Sequence, residues 1–116
     1  MTPFGEMVRG LRQARGLTLK RMAGDLELSA AYLSALEHGH RGPPPYALVQ
    51  RVCAYFNIIW DEAEALERLA ALSHPRVVVD TAGLSPAATR LANLLAGRIA
   101  DLPESRLGEL IAALEG

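Results

Sequence analysis

Two short helices joined by a tight turn are predicted within residues 18–39, and this segment restricts the fold more strongly than any other part of the chain. Thr18 and Ser29 are favourable N-cap residues, and each precedes a run that is apolar at helical spacing. Because Ala23 is small, the second helix can cross close above the first. The leucines that the second helix directs towards the core are Leu33 and Leu36. Its other face must therefore point outward, where it is available for binding.

Apolar residues at helical spacing predict three more helices around this segment. The first runs from residue 3 to about residue 15, and Gly16 ends it. The turn-rich connector HGHRGPPP leads to a helix at about 45–56, and another helix follows at about 61–72. We expect Trp60 to pack where these last two helices meet; the alternative is that it faces a partner. Half of the residues are hydrophobic, which is enough for a packed core.

A C-terminal segment, residues 74–116, follows the five-helix domain predicted for residues 1–73. It contains two short helical patterns, at 85–101 and 103–115. Before them lies the β-branched stretch RVVVDT at 76–81, which could form a short strand or an extended arm. Two such helices bury little surface alone, so the segment must pack on the first domain or on another chain. The predicted fold class is therefore all-α.

The charges of the two halves differ in sign, although the net charge is only −1. Residues 1–60 hold seven lysines and arginines against four acidic residues, whereas residues 61–116 hold five arginines against nine acidic residues. This asymmetry favours a polyanionic partner for the first half and a different task for the second half.

The sequence contains no pattern typical of an enzyme, a cofactor site or a metal site. No set of residues supplies a nucleophile, a base and an oxyanion site, and there is no glycine-rich phosphate loop. The histidines His38, His40 and His74 do not have zinc-ligand spacing with Cys53. A single cysteine, no secretory signal and no apolar run of about 20 residues favour a cytoplasmic protein without membrane association.

Residues 4–72 resemble the lambda-repressor-like, Xre-type helix-turn-helix DNA-binding domain, a unit of five helices. The matching stretches are LRQARGLTLKRMA, LSAAYLSALEHGHR and PPYALVQRVCAYFNI. The positions that carry the resemblance are Arg12, Gly16, Thr18, Ala23, Ser29, Leu33, Glu37 and Gly39. Glu27 departs from the family pattern, which usually has glycine in this turn. A left-handed conformation at Glu27 would cost about 1 kcal/mol.

The resemblance implies how the third helix contacts double-stranded DNA. The N-terminal residues of this helix would meet base edges in the major groove. The implied base-reading residues are Ala30, Ala31, Tyr32, Ser34, Ala35 and His38. The implied phosphate contacts are Thr18, Lys20, Arg21, Ser29, His40 and Arg41. Arg12 and Glu37 occupy positions that usually pair in this family, and a bidentate bond between them would hold the recognition helix on the scaffold.

We therefore predict a sequence-specific DNA-binding transcriptional regulator, a homodimeric repressor that reads a palindromic operator. Such dimers bind two half-sites about one DNA turn apart. The C-terminal segment is the predicted dimerisation element. The residues that we expect to form the dimer contact are Val77, Val78, Val79, Leu91, Leu95, Ile99, Leu107, Leu110, Ile111 and Leu114.

Other interpretations stay open at this point. The chain could be an antitoxin-like or adaptor protein whose C-terminal segment binds a partner protein, with autoregulatory DNA binding. It could also be a protein-interaction module on a helix-turn-helix scaffold, and the C-terminal segment could simply complete the core of a monomer. If the leading interpretation holds, the protein is associated with the nucleoid in the cytoplasm.

Overall fold

The computed structural model describes all 116 residues, which form seven α-helices and one 3₁₀ turn and no strand. The helices are α1 (Pro3–Ala14), α2 (Leu19–Asp25), α3 (Ala30–His38), α4 (Tyr46–Phe56), α5 (Trp60–Ala71), α6 (Pro86–Arg98) and α7 (Glu104–Glu115), and the 3₁₀ turn is Ile99–Asp101. The all-α prediction is confirmed. None of the helices has both the length and the apolar composition that crossing a bilayer requires. The chain divides into two compact units, Met1–Val77 and Val78–Gly116, called unit 1 and unit 2 below.

Local capping explains where most of these helices begin and where two of them end. In four helices a hydroxyl oxygen at the N-cap accepts the N–H of the residue three positions later. These hydroxyls belong to Thr2, Thr18, Ser29 and Ser85, with distances of 3.0, 3.0, 3.0 and 3.3 Å. Gly39 ends α3 with a φ of 81°, and Asn57 ends α4 with a φ of 55°. Both residue types tolerate this left-handed conformation, so the helix ends are set by the sequence itself.

The core of unit 1 lies among its five helices and holds α3 by one face. α1 packs against α3 and α5, α2 packs against α3, and α4 packs against α5. The largest apolar side chains that are completely buried in this core are Phe4, Val8, Met22, Leu33, Leu36, Val52, Phe56 and Leu66. Since burial of one such side chain contributes about 1.5–3 kcal/mol, the two core leucines of α3 fix its orientation.

Close backbone contact joins α1 to the end of α3. A Cβ atom added at Gly5 would lie 2.6 Å from the Cα atom of Glu37, closer than real Cβ atoms approach other atoms. The N–H of Thr2 donates to the Glu37 carbonyl at 2.9 Å. Just beyond α5, the buried hydroxyl of Ser73 accepts the N–H of Phe4 at 2.9 Å. The first turn of α1 is thereby tied to both α3 and the end of α5.

Unit 2 consists of α6, the 3₁₀ turn and α7, and no residue of either helix is buried. One of the two alternatives for residues 76–81, the short strand, is wrong for the single chain, because this stretch has no regular secondary structure. Val78, in its middle, is 92% exposed. A strand needs a neighbouring strand for its N–H and C=O groups, and the all-helical chain provides none.

The expectation that Trp60 packs between α4 and α5 is also wrong. Trp60 is 81% exposed, whereas Ile58 is buried and occupies the junction. Asn57 and Trp60 both have a positive φ, of 55° and 54°, so the backbone leaves the right-handed helical conformation at both residues. The helical periodicity of the sequence does not predict these two departures, and so it does not predict which side chain near the junction is buried.

Candidate nucleic-acid interface

The turn between α2 and α3 is held by backbone hydrogen bonds to the last turn of α2. The N–H of Leu28 donates to the Ala23 carbonyl at 2.8 Å, and the N–H of Leu26 donates to the Met22 carbonyl at 3.0 Å. Glu27 lies between them with a φ of 59°, the conformation that favours glycine. Its neighbours are held by these bonds and by the burial of Leu26, which offsets the strain. α3 therefore starts at a fixed angle to α2.

Two side chains of α4 hydrogen-bond to the end of α2, where this turn begins. The guanidinium of Arg51 donates to the Leu26 carbonyl, and the hydroxyl of Tyr55 donates to Asp25 at 2.7 Å. Asp25 also accepts from Arg21 at 3.2 Å. We did not predict either of the α4 contacts. Their only sequence signal is that Arg51 and Tyr55 are four residues apart and so share one helix face.

The hydrogen bonds around Asp25 change its acid–base behaviour. The hydroxyl of Tyr55, followed by the guanidinium of Arg21, holds the pKa of the Asp25 carboxyl below its ordinary value of 3.8. Burial and the nearby carboxylate raise the pKa of Tyr55 above 10.0. At neutral pH the pair is thus a carboxylate and a neutral phenol, which is the combination that the hydrogen bond requires.

Arg12 and Glu37 join α1 to the last turn of α3 through a buried ion pair. Arg12 Nη2 lies 3.2 Å from Glu37 Oε1 and 3.4 Å from Oε2. A single nitrogen thus contacts both oxygens, which differs from the two parallel bonds of a bidentate pair. Arg12 Nε is buried and has no hydrogen-bond partner. The Glu37 carboxylate is almost fully buried, so removal of the arginine would leave a charge without a partner.

The outward face of α3 consists of small and aromatic residues. Ala30, Ala31 and His38 are exposed, and Tyr32, Ser34 and Ala35 are half-buried. Leu33, Leu36 and Glu37 point into the core. The ring of His38 hydrogen-bonds through Nδ1 to the Ser34 carbonyl at 2.9 Å. The exposed N-terminal half of α3 is therefore smooth and lacks any long hydrogen-bonding side chain except Tyr32.

In the sequence, cationic side chains come both before and after the residues of this face. Lys20 is exposed on α2, and Arg21 is exposed there but engaged with Asp25. After α3, the guanidinium of Arg41 lies over the Tyr32 ring, 5.8 Å from its centroid. The rings of His38 and His40 are 6.0 Å apart. The arrangement presents positive charge at the start of α2 and after the end of α3.

The two N-cap hydroxyls of this region can still act as donors. Thr18 and Ser29 each accept one backbone N–H, as described above. A hydroxyl has one hydrogen to donate in addition to its two lone pairs. Each could therefore donate to an anion while it caps its helix, and the free N–H groups of the helix end would favour the same anion.

The residues expected at a dimer contact are mostly exposed in the single chain. Val77, Val78, Val79, Leu91, Ile99, Leu110, Ile111 and Leu114 are exposed, and Leu95 and Leu107 are half-buried. No three His, Cys, Asp or Glu side chains are close enough together to hold a metal ion. Cys53 is buried with a free thiol, whose pKa is raised by burial.

The N-terminal part of the chain is similar to known proteins. A family model described as "Helix-turn-helix domain" matches residues 3–66. The uncharacterized HTH-type transcriptional regulator RghRB of Bacillus subtilis is 35% identical over 65 residues, which are 56% of this chain and 47% of that protein. The HTH-type transcriptional repressor RghR of the same organism is 36% identical over 61 residues, 53% of this chain and 45% of that protein. The HTH-type transcriptional regulator DdrOP3 of Deinococcus deserti is 40% identical over 62 residues, 53% of this chain and 48% of that protein.

The similarity to these relatives is confined to part of each protein. The chain spans about half the length of the curated relatives that it matches. No solved structure matches the chain. The family model, however, covers more than half of the residues, including all of α1 to α3 and the turn described above. On this basis, the protein belongs to the helix-turn-helix domain family.

Proposed function

We propose that this protein is a sequence-specific DNA-binding transcriptional regulator of the lambda-repressor-like type, and that it acts as a homodimeric repressor. One observation carries the proposal: α3 is buried on one face, begins at a capped turn and exposes its N-terminal half, where the guanidinium of Arg41 lies over the ring of Tyr32. The names of the relatives as HTH-type transcriptional regulators or repressors support it. Residues 1–73 would bind DNA, and residues 74–116 would join two copies.

In this proposal α3 enters the major groove and its outward residues read base edges. The methyl groups of Ala30, Ala31 and Ala35 would contact thymine methyls, and Ser34 would donate to or accept from a base. Tyr32 and His38 complete the base-reading set. Because no Arg or Gln is available for a bidentate contact to a base, part of the specificity would come from DNA shape.

Phosphate contacts would supply most of the affinity. The proposed contacts are Thr18, Lys20, Arg21, Ser29, His40 and Arg41. Arg41 is the strongest candidate, because its guanidinium is exposed and has no carboxylate partner. Arg21 is weaker, since it would have to share its charge with Asp25. Each phosphate contact should steepen the salt dependence of binding by about one unit.

Dimer formation is supported by the apolar surface of unit 2. A 39-residue unit, Val78–Gly116, that buries none of its helical residues has little reason to fold alone. A second copy would cover its leucines and isoleucines, and two-fold symmetry would match a palindromic operator. A DNA-binding regulator of this kind would work on the nucleoid in the cytoplasm.

The same apolar surface favours a second candidate function. An antitoxin-like or adaptor protein would use unit 2 to bind a different protein, and its DNA binding would be autoregulatory. Stoichiometry distinguishes the two: a purified chain that forms homodimers supports the first function, whereas a tight one-to-one complex with another protein supports the second.

Fluorescence anisotropy with labelled duplexes tests the DNA-binding part. The duplexes would come from a selection of bound sequences out of a random pool. The Arg41→Ala variant should bind all duplexes more weakly and lower the salt slope by about one unit, and Ser34→Ala should mainly change the selected sequence. Arg68→Ala, an exposed arginine on α5, is the matched control and should leave the affinity unchanged. If Arg41→Ala equals this control at low salt, the proposed docking is wrong.

A further inference from the structure

The two helices of unit 2 carry opposite charges. α6 contains two arginines and no acidic residue, whereas α7 contains three glutamates and one arginine. The single arginine of α7, Arg106, is already paired with Glu109 at 3.1 Å. The charges that have no partner in the chain are therefore Arg90 and Arg98 on α6, and Glu104 and Glu115 on α7.

These unpaired charges lie next to the exposed apolar residues of each helix. On α6, Arg90, Leu94 and Arg98 follow one another at a spacing of four and line one row, and Arg90 and Leu94 border a shallow groove with Leu91. On α7, Ile111 is seven residues after Glu104 and four before Glu115, so the three also share a row. Together with an exposed neighbour, these residues form a short apolar strip between two charges on each helix, made of Leu91 and Leu94 on α6 and of Ile111 and Leu114 on α7.

The two strips do not cover each other within one chain. α6 continues directly into the 3₁₀ turn, and it makes few contacts with α7. Leu94 and Ile111 are each a little over half exposed. Contiguous apolar surface that stays exposed marks sites of association.

The lengths of the two rows are similar. With a rise of about 1.5 Å per residue, Arg90 and Arg98 are about 12 Å apart along α6, and Glu104 and Glu115 are about 16 Å apart along α7. Long arginine side chains span the difference of about 2 Å at each end. Whether the two helices run parallel or antiparallel, each arginine meets a glutamate.

We infer that α6 of one copy packs against α7 of a second copy, and that arginine–glutamate pairs at the ends of the apolar strips select this pairing. The inference rests on the proposed homodimer and specifies its contact. Pairing of α6 with α6 would bring the arginines of two copies together, and pairing of α7 with α7 would bring glutamates together. Two-fold symmetry provides the α6–α7 contact twice, so that all four strips of the dimer are covered.

Charge reversal in the full-length chain tests this contact. One variant carries Arg90→Glu and Arg98→Glu, and the other carries Glu104→Arg and Glu115→Arg. All four sites are exposed and both new residue types favour helices, so circular dichroism should show unchanged helix content. In the homodimer of either variant, like charges would meet at all four contacts between α6 and α7 charges. In the heterodimer of the two variants, opposite charges would meet at all four contacts.

Sedimentation equilibrium and native mass spectrometry at low salt measure the outcome. An exposed ion pair changes a dissociation constant by about 1.4-fold to 5-fold. Charge reversal replaces four attractive pairs of the dimer with four repulsive ones, so each homodimer should weaken at least about tenfold. The mixture should form a heterodimer with an affinity within about threefold of the wild type. The double variant Glu62→Arg and Glu64→Arg, an equal change of charge on α5, should dimerise like the wild type.

Two results would overturn the inference: variants that dimerise as tightly as the wild type, or a mixture that stays monomeric. If the wild type is dimeric and binds DNA in these cases, only the helix pairing is wrong. A wild-type chain that is monomeric up to about 100 μM would overturn the inference and the dimer part of the proposed function together. DNA binding by unit 1 is measured separately through Arg41→Ala.

Discussion

Substitution of Gly5 by alanine should separate α1 from α3 and destabilise unit 1. The new Cβ atom would lie 2.6 Å from the Cα and 2.7 Å from the carbonyl carbon of Glu37, and closer still to its carbonyl oxygen. These are backbone atoms, which cannot rotate away as a side chain can. Carbon atoms in contact lie about 3.5–4.0 Å apart, so the helices would have to separate by about 1 Å.

The magnitude follows from two contributions. Overpacking of this kind costs about 1–3 kcal/mol. A separation of 1 Å would also stretch the bonds from Arg12 and Thr2 to Glu37, and a buried group that loses its partner costs about 1–3 kcal/mol more. We expect the free energy of unfolding to fall by about 2–6 kcal/mol, which is a large part of the total stability of a small domain.

Gly10→Ala is the matched control. Gly10 lies on the same helix, and a Cβ atom there would meet nothing within 4 Å. Alanine should therefore stabilise the chain by about 0.5–1 kcal/mol through helix propensity alone. Urea unfolding followed by circular dichroism at 222 nm measures both variants, because Trp60 is too exposed to be a sensitive fluorescence probe. If the two variants have the same stability, the close contact between α1 and α3 does not limit the fold as argued.

Three further variants test the supports of α3. Arg12→Ala should lower the free energy of unfolding in urea by about 1–3 kcal/mol. In a double-mutant cycle with Glu37→Gln, the two losses of stability should not add; if they add, the ion pair is contradicted. Glu27→Gly should raise the thermal midpoint, since relief of left-handed strain contributes about 1 kcal/mol, and a lower midpoint would contradict the strain. Tyr55→Phe should be less stable than the wild type at neutral pH. The pKa of Asp25 is lowered in the folded state, so near and below the ordinary value of 3.8 the unfolded chain binds more protons than the folded chain. The stability that the Asp25 carboxylate gains from its hydrogen bonds is therefore lost in acid. The difference between Tyr55→Phe and the wild type should therefore shrink at acidic pH, and a difference independent of pH would show that the hydrogen bond to Asp25 is not its cause.

Local signals in the sequence predicted the all-α fold and the places where helices begin. The hydroxyls of Thr18 and Ser29 cap their helices through bonds that span only three residues, so neighbouring residues suffice to predict them. The inward positions of α3, Leu33 and Leu36, follow from helical periodicity in the same way. The choice of bases and phosphates at the candidate interface stays a prediction, because it depends on a DNA molecule that the chain alone does not define.

Such local signals do not predict contacts between residues that are far apart in the sequence. The support of the turn by Arg51 and Tyr55 joins residues 25 and 30 positions apart in the chain. The exposure of Trp60 accompanies a positive φ at Trp60 itself and at Asn57, and helical periodicity predicts neither. Valines at 77–79 favour a strand by propensity. A strand also needs a neighbouring strand to form backbone hydrogen bonds with, and the propensity of three residues does not indicate whether one exists.

What the sequence alone determined is therefore the set of helices, the hydroxyl caps of four of them and the inward faces of α1 to α4, because hydrogen bonds and periodicities within a few residues specify them. Only the tertiary structure decided how closely α1 approaches α3 at Gly5, which side chains brace the turn before α3, and that α6 and α7 leave their apolar strips uncovered. These features depend on distances between residues far apart in the chain, and such distances exist only once the helices have packed.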